Sequence, residues 1–171
     1  MSEKLDIEVV PISEIGRANG AISRPVVLVV DDETVIADTL SIILSRNGFT
    51  VLTAYDGKSA LELAQMAHPD LLLTDVVMPG MTGIELAITL TDADPKCKVL
   101  LFSGHATTVD LLADANKQGH HFNLLSKPVH PSDLLHCISD CLAEGNLSED
   151  EIETDERSSV FQDDAATLKD A

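Results

Sequence analysis

The sequence predicts an α/β fold in which a doubly wound, five-stranded parallel sheet carries helices on both faces. Three observations lead there. Short apolar runs recur five times, segments with helically spaced apolar residues separate them, and the connections are too short to hold an inserted second domain. A chain of 171 residues, 44% of them hydrophobic, can bury one core but is short for two full domains.

The first strand is Val26–Val30, a β-branched run without a polar break, as expected of a strand covered on both faces. Val35, Leu40, Ile43 and Leu44 then follow helical spacing from near Glu33, and Asn47-Gly48 suits a helix C-terminus. Thr50–Ala54 is the second strand. Asp56-Gly57 reads as a turn before a helix bearing Ala60, Leu61, Leu63 and Ala64. His68-Pro69 punctuates the chain before the third strand, Leu71–Thr74, and Ile84, Leu86, Ala87 and Leu90 mark the third helix. After Asp94-Pro95 come a fourth strand, Val99–Phe102, and a helix with Val109, Leu111, Leu112 and Ala115. Phe122–Leu125 is the fifth strand. Pro131 opens the last helix, with Leu134, Leu135, Ile138 and Leu142 on its apolar face. Parallel strands joined in this way require right-handed crossovers.

Outside this core of residues 25–143, residues 1–24 form an N-terminal extension, in which Ile7–Ile12 reads either as an extra strand or as an apolar stretch of leader. Residues 144–171 carry ten acidic and two basic side chains, a tail whose composition favours disorder. With 11 basic against 29 acidic residues the net charge is −18, which repels phosphate backbones, so no nucleic-acid partner is expected. Cys97, Cys137 and Cys141 are an odd number without a disulfide framework, which suits free thiols in a reducing cytosol. Cys137 and Cys141, beside His136, offer two ligands from one helical turn. Without a second ligand pair, buried structural cysteine is the stronger reading. No stretch has signal-peptide or membrane-spanning length, so a soluble, cytoplasmic protein without a membrane partner is expected.

Open α/β sheets bind ligands at the carboxyl ends of their strands. Here those ends carry Asp31-Asp32-Glu33, Asp75, Ser103 and Lys127-Pro128. Three carboxylates, Asp31, Asp32 and Asp75, make a plausible site for Mg²⁺, a hard cation that takes oxygen ligands. A carboxylate also serves as a phosphoryl nucleophile while a metal neutralises the transferring group. Ser103 and Lys127 then supply a hydrogen bond and an ion pair to phosphoryl oxygens. Plainer uses exist for each: helix capping for Asp31 or Asp32, a turn hydroxyl for Ser103 before Gly104, a solvent-facing charge for Lys127. Their joint placement at four strand ends favours a site.

The runs Val26-Val27-Leu28-Val29-Val30-Asp31-Asp32-Glu33, Leu72-Leu73-Thr74-Asp75-Val76-Val77-Met78-Pro79-Gly80-Met81-Thr82-Gly83, Leu101-Phe102-Ser103-Gly104-His105-Ala106 and Ser126-Lys127-Pro128 together resemble the receiver domain of two-component response regulators, the chemotaxis-regulator type included. The resemblance implies the flavodoxin-like strand order 2-1-3-4-5. It also implies that Asp75 is the phosphoacceptor, that Asp31 and Asp32 with Asp75 hold Mg²⁺, that Ser103 is the switch hydroxyl and Lys127 the phosphate-binding lysine, and that the Lys127-Pro128 bond is cis. The implied partners are a histidine kinase or phosphotransfer protein and a downstream protein target, met through the face of the fourth helix, fifth strand and fifth helix. A phosphorylation-dependent homodimer is compatible with that face.

Two departures stand out. Where the family usually has an aromatic residue three positions before the lysine, this chain has Leu124, with Phe122 two residues earlier. An aromatic lever is therefore not expected. After the core the sequence shows only the acidic tail, where the family's common architecture has an effector domain, and a DNA-binding regulator would need a further basic helical domain, so a single-domain response regulator is expected, a switch rather than an enzyme. A haloacid-dehalogenase-like phosphatase is the enzyme alternative, but its second aspartate corresponds to Val77 here, which handles no protons. A docking receiver that works without phosphorylation is the other alternative, and the intact acceptor, metal, hydroxyl and lysine positions argue against it.

Overall fold

The structure, a computed structural model, describes residues 23–105 and 108–144. Five strands and five helices alternate: β1 Val26–Val30, α1 Thr34–Arg46, β2 Thr50–Ala54, α2 Gly57–Ala67, β3 Leu71–Asp75, α3 Gly83–Ala93, β4 Lys98–Ser103, α4 Thr108–Lys117, β5 Asn123–Ser126 and α5 Pro131–Ala143. All strand pairs are parallel, in the order β2-β1-β3-β4-β5. The fold and strand order are those expected. Most of the N-terminal extension, with Ile7–Ile12, and nearly all of the acidic tail lie outside the described residues.

Side chains alternate across a strand with a period of two, and the core divides accordingly. Leu28, Val30, Leu72 and Leu101 face one way and pack with Ala60 and Ala64 of α2, Leu86 and Leu90 of α3 and Ala115 of α4. Val27, Val29, Leu71, Leu73, Leu100 and Phe102 face the other way, against Ala37, Leu40 and Leu44 of α1 and Leu134 and Ile138 of α5. Each fully buried leucine contributes about 1.5–3 kcal/mol of transfer free energy. This is why β1 and β3, with strands on either side and helices above and below, needed uninterrupted apolar sequence. β5 lies at the sheet edge and is largely exposed.

Local chemistry sets the element ends. α1 stops at Asn47, and Gly48 takes the positive φ of +94° that an L-residue resists. Asp56-Gly57 is not the free turn expected: Asp56 is the N-cap of α2, its carboxylate accepting the Ser59 N–H at 2.8 Å, and Gly57 is the first helical residue. α3 opens on a capping box, with Thr82 Oγ1 accepting the Glu85 N–H and the Glu85 carboxylate accepting the Thr82 N–H. β5 runs one residue later than the expected Phe122–Leu125, because Phe122 stacks on His120, with ring centroids 5.9 Å apart, before the ladder to β4 begins.

Candidate functional site

β1, β3, β4 and β5 deliver their last residues to one end of the sheet. Asp75 pairs in register with Phe102, and Ser103 with Ser126, so one rim carries Asp75, Ser103 and, one residue past β5, Lys127. Asp31 and Asp32 follow β1 directly. Gly83 lets the start of α3 approach this rim, since a Cβ there would lie 1.8 Å from the Asp75 carbonyl oxygen.

Asp31, Asp32 and Asp75 each offer a carboxylate oxygen, and these atoms lie within 4.8 Å of one another. Among the described residues they are the one group of three or more histidine, cysteine or acidic side chains with such spacing. Cys137 and Cys141 join no such group; all three cysteines are free thiols, and burial, helped by the charge of Asp94, pushes the Cys97 thiol up to about 12. Asp31 and Asp75 are 1% and 6% exposed, whereas Asp32 is open to solvent. Lys127 Nζ joins the two buried carboxylates, 2.9 Å from Asp31 Oδ2 and 3.1 Å from Asp75 Oδ1, and lies 4.8 Å from the Phe102 ring centroid. The cis Lys127-Pro128 peptide expected from the resemblance is present.

Neither Asp31 nor Asp32 caps α1, whose N-cap is Glu33 without a side-chain cap bond; Asp31 Oδ1 instead accepts the Glu33 N–H at 2.9 Å and so orders the loop before the helix. One carboxylate fixes the loop and holds the lysine. Asp75 is served less well. The ammonium is at ion-pair distance but is not aligned for a hydrogen bond, so Asp75 Oδ1 is buried without a hydrogen-bond partner. Burial raises the Asp75 pKa; Lys127 opposes the shift and Asp31 adds to it. For Lys127 burial works toward a lower pKa, but the carboxylates of Asp31 and Asp75 outweigh it and the net shift is upward.

Ser103 reaches the rim but does not join the cluster. Its Oγ is 2.8 Å from Thr108 Oγ1 and accepts the His105 N–H at 3.2 Å. Both hydroxyl residues are buried. Thr108 was not singled out in the sequence, and no motif there marks it. Leu124 is 37% exposed and contributes no ring. An acidic rim with a buried lysine and an unsatisfied carboxylate oxygen has the chemistry to take up a small hard cation and an anionic group together.

The model of the response regulator receiver domain matches residues 27–139, a span that contains every one of these groups. The chain belongs to that family. The receiver domain is similar in sequence to the probable transcriptional regulatory protein TcrX of Mycobacterium tuberculosis, 36% identical over 113 residues that make up 66% of this chain and 46% of that protein. The response regulator MprA of Mycobacterium ulcerans is 31% identical over 73% of this chain and 53% of its own length. This chain thus matches about half the length of these curated relatives. Among solved structures, the CheY-like receiver of Methanospirillum hungatei superposes with a TM-score of 0.67 at 29% identity, covering 72% of this chain and 98% of that one. The receiver of Clostridium thermocellum gives 0.66 at 29% identity with the same coverage. The domain is therefore a receiver of two-component signalling, a class of signalling switch, and no helix among the described residues is long and apolar enough to cross a membrane.

Proposed function

We propose that this receiver is phosphorylated on Asp75 by a histidine kinase or phosphotransfer protein and signals through protein contact. The observation that carries the reading is the buried Asp75 Oδ1, which meets Lys127 at 3.1 Å as an ion pair but accepts no hydrogen bond. An Asp75 carboxylate oxygen forms a bond to phosphorus while the bond from phosphorus to the donor's imidazole nitrogen breaks, and the product is an acyl phosphate. Lys127, already charged and 3.1 Å away, pairs with the oxygens of the incoming group. Ser103 donates its hydroxyl proton to another. Asp31, Asp32 and Asp75 fit Mg²⁺, because three convergent carboxylate oxygens with one buried lone pair unused match a small oxygen-seeking ion. When bound, Mg²⁺ neutralises charge on the transferring phosphoryl group. Val77 offers no acid or base for turnover of other phosphoesters, which sets the dehalogenase-like phosphatase aside.

Within this reading residues 25–143 are the working domain, flanked by an extension and an acidic tail in the cytoplasm. The output face is α4, β5 and α5, where Val109, Leu111 and Leu124 are exposed, and the net charge of −18 argues against direct DNA contact by this chain. Incubation with acetyl phosphate and Mg²⁺ should add the mass of one phosphate, and neither Asp75→Asn nor chelator-treated protein should gain it. Full labelling of the Asp75→Asn protein would refute the assignment. Asp31→Asn with Asp32→Asn should abolish Mg²⁺ binding, and unchanged affinity would place the ion elsewhere.

A further inference from the structure

Ser103 has one proton and two lone pairs to place, and its surroundings fix how they are used. The His105 N–H fills one lone pair at 3.2 Å. The other short contact, 2.8 Å, is to Oγ1 of Thr108, the first residue of α4, and that residue is 1% exposed. Among the described residues Ser103 Oγ makes no hydrogen bond to Asp31, Asp75 or Lys127, although all of them line the same rim. The hydroxyl that the proposed function needs is thus held by Thr108 rather than by the carboxylate and lysine cluster.

We propose that Thr108 is a positioning residue whose hydroxyl latches Ser103 in the resting state and ties the start of α4 to the end of β4. The inference rests on the reading of Asp75 as phosphoacceptor. When Ser103 turns toward a phosphoryl group, its charge-assisted bond to an anionic oxygen replaces the neutral bond to Thr108. Thr108 is then a buried hydroxyl that has lost this partner, an unfavourable state that relaxes only if the first turn of α4 moves. Chemistry at Asp75 thereby reaches α4 without an aromatic side chain, which fits the exposed Leu124 where a ring would otherwise stand. Thr108 is outside the carboxylate cluster of Asp31, Asp32 and Asp75, and acts through Ser103.

The test uses the full chain with Mg²⁺ and beryllofluoride, an acyl-phosphate mimic. Thr108→Val keeps the shape and removes the hydroxyl, while Thr108→Ser keeps the hydroxyl. Breaking one neutral hydrogen bond in the resting state should tighten beryllofluoride binding by about fivefold in Thr108→Val. The amide shifts of Val109–Leu112 on activation should shrink in the same protein, because its resting state already lacks the tether. Thr108→Ser should bind like the natural protein, which separates the hydroxyl from simple packing. Unchanged or weaker binding by Thr108→Val, or equal tightening by Thr108→Ser, overturns the latch while leaving Asp75 in place. Failure of the natural protein to bind beryllofluoride overturns both readings.

Discussion

Neutralising the phosphoacceptor should make the metal-free domain more stable. In Asp75→Asn the pairing with Lys127 at 3.1 Å is lost, worth about 5 kcal/mol at an effective dielectric constant of about 20. Repulsion from Asp31, whose ligating oxygen lies within 4.8 Å, is relieved by at least about 3.5 kcal/mol on the same scale. Exposed Asp32 adds a smaller, screened share. These charge effects nearly cancel, so burial of the ionised carboxylate decides the sign, as it dominates the upward shift of the Asp75 pKa. Lys127 keeps its bond to Asp31 at 2.9 Å, so the substitution strands no cation. A net gain of about 1 kcal/mol is expected, raising Tm by roughly 3–5 °C.

Proton linkage gives the pH signature. A carboxyl whose folded pKa is raised binds its proton more tightly in the native state, so the penalty for ionisation is absent below the unfolded value and grows as pH rises through the folded one. The advantage of Asp75→Asn should therefore be greatest above the raised folded pKa and shrink toward acid. Thermal melts of both proteins with chelator, between pH 5 and pH 7.5, measure it. In excess Mg²⁺ the order should narrow or reverse, because an ion at a hundredfold its Kd stabilises the natural protein by about 2.7 kcal/mol. A mutant that melts at or below the natural protein at pH 7 in chelator would show that the ion pair, rather than burial, governs Asp75.

Other perturbations probe separate parts of the structure. Gly83→Ala should destabilise the domain by about 2–4 kcal/mol in chemical denaturation, because its Cβ would meet the Asp75 carbonyl oxygen at 1.8 Å and neither backbone can yield cheaply. Ser103→Ala should weaken the beryllofluoride-induced NMR shifts much more than Leu124→Ala, since the latter removes only a half-exposed aliphatic group; the reverse order would restore a lever role to residue 124. Limited alkylation at pH 8 followed by mass spectrometry should label the half-buried Cys137 well before Cys97, whose thiol is pushed up to about 12, and early labelling of Cys97 would mean that its cover opens readily. Deleting residues 146–171 should change Tm by less than about 2 °C if the acidic composition means what it suggests.

The positions of the site carboxylates and the lysine could be read in advance because each stands at a strand end, and the five strands are marked by short apolar runs. Asp31, Asp75 and Lys127 needed no knowledge of packing to be placed on one rim. Thr108 did. Its hydroxyl meets Ser103, five positions earlier, through where the first residue of α4 stands beside the end of β4, which leaves no trace in hydrophobic spacing. The shift of β5 has a similar origin: Phe122 has the aromatic character of a strand former, yet it stacks on His120, and the ladder takes the more polar Asn123–Ser126 instead. Two helix starts were legible but unread, since Thr82 with Glu85 has capping-box spacing and Asp56 with Ser59 that of a side-chain cap.

The sheet order gives the rim a covered centre and an exposed edge at β5. Asp31 and Asp75 hang from β1 and β3, which have paired neighbours on both sides and helices over both faces. The amides of β1 and β3 should exchange slowest in the domain. Lys127 follows β5, a four-residue edge strand largely open to solvent, whereas Ser103 ends β4, which is covered on both sides. Hydrogen exchange should thus grade across five strands from slowest at the centre to fastest at the β5 edge. Such a layout separates two demands on one small site: fixed distances for the chemistry, and a low barrier to rearrangement on the side that must tell the rest of the cell about it.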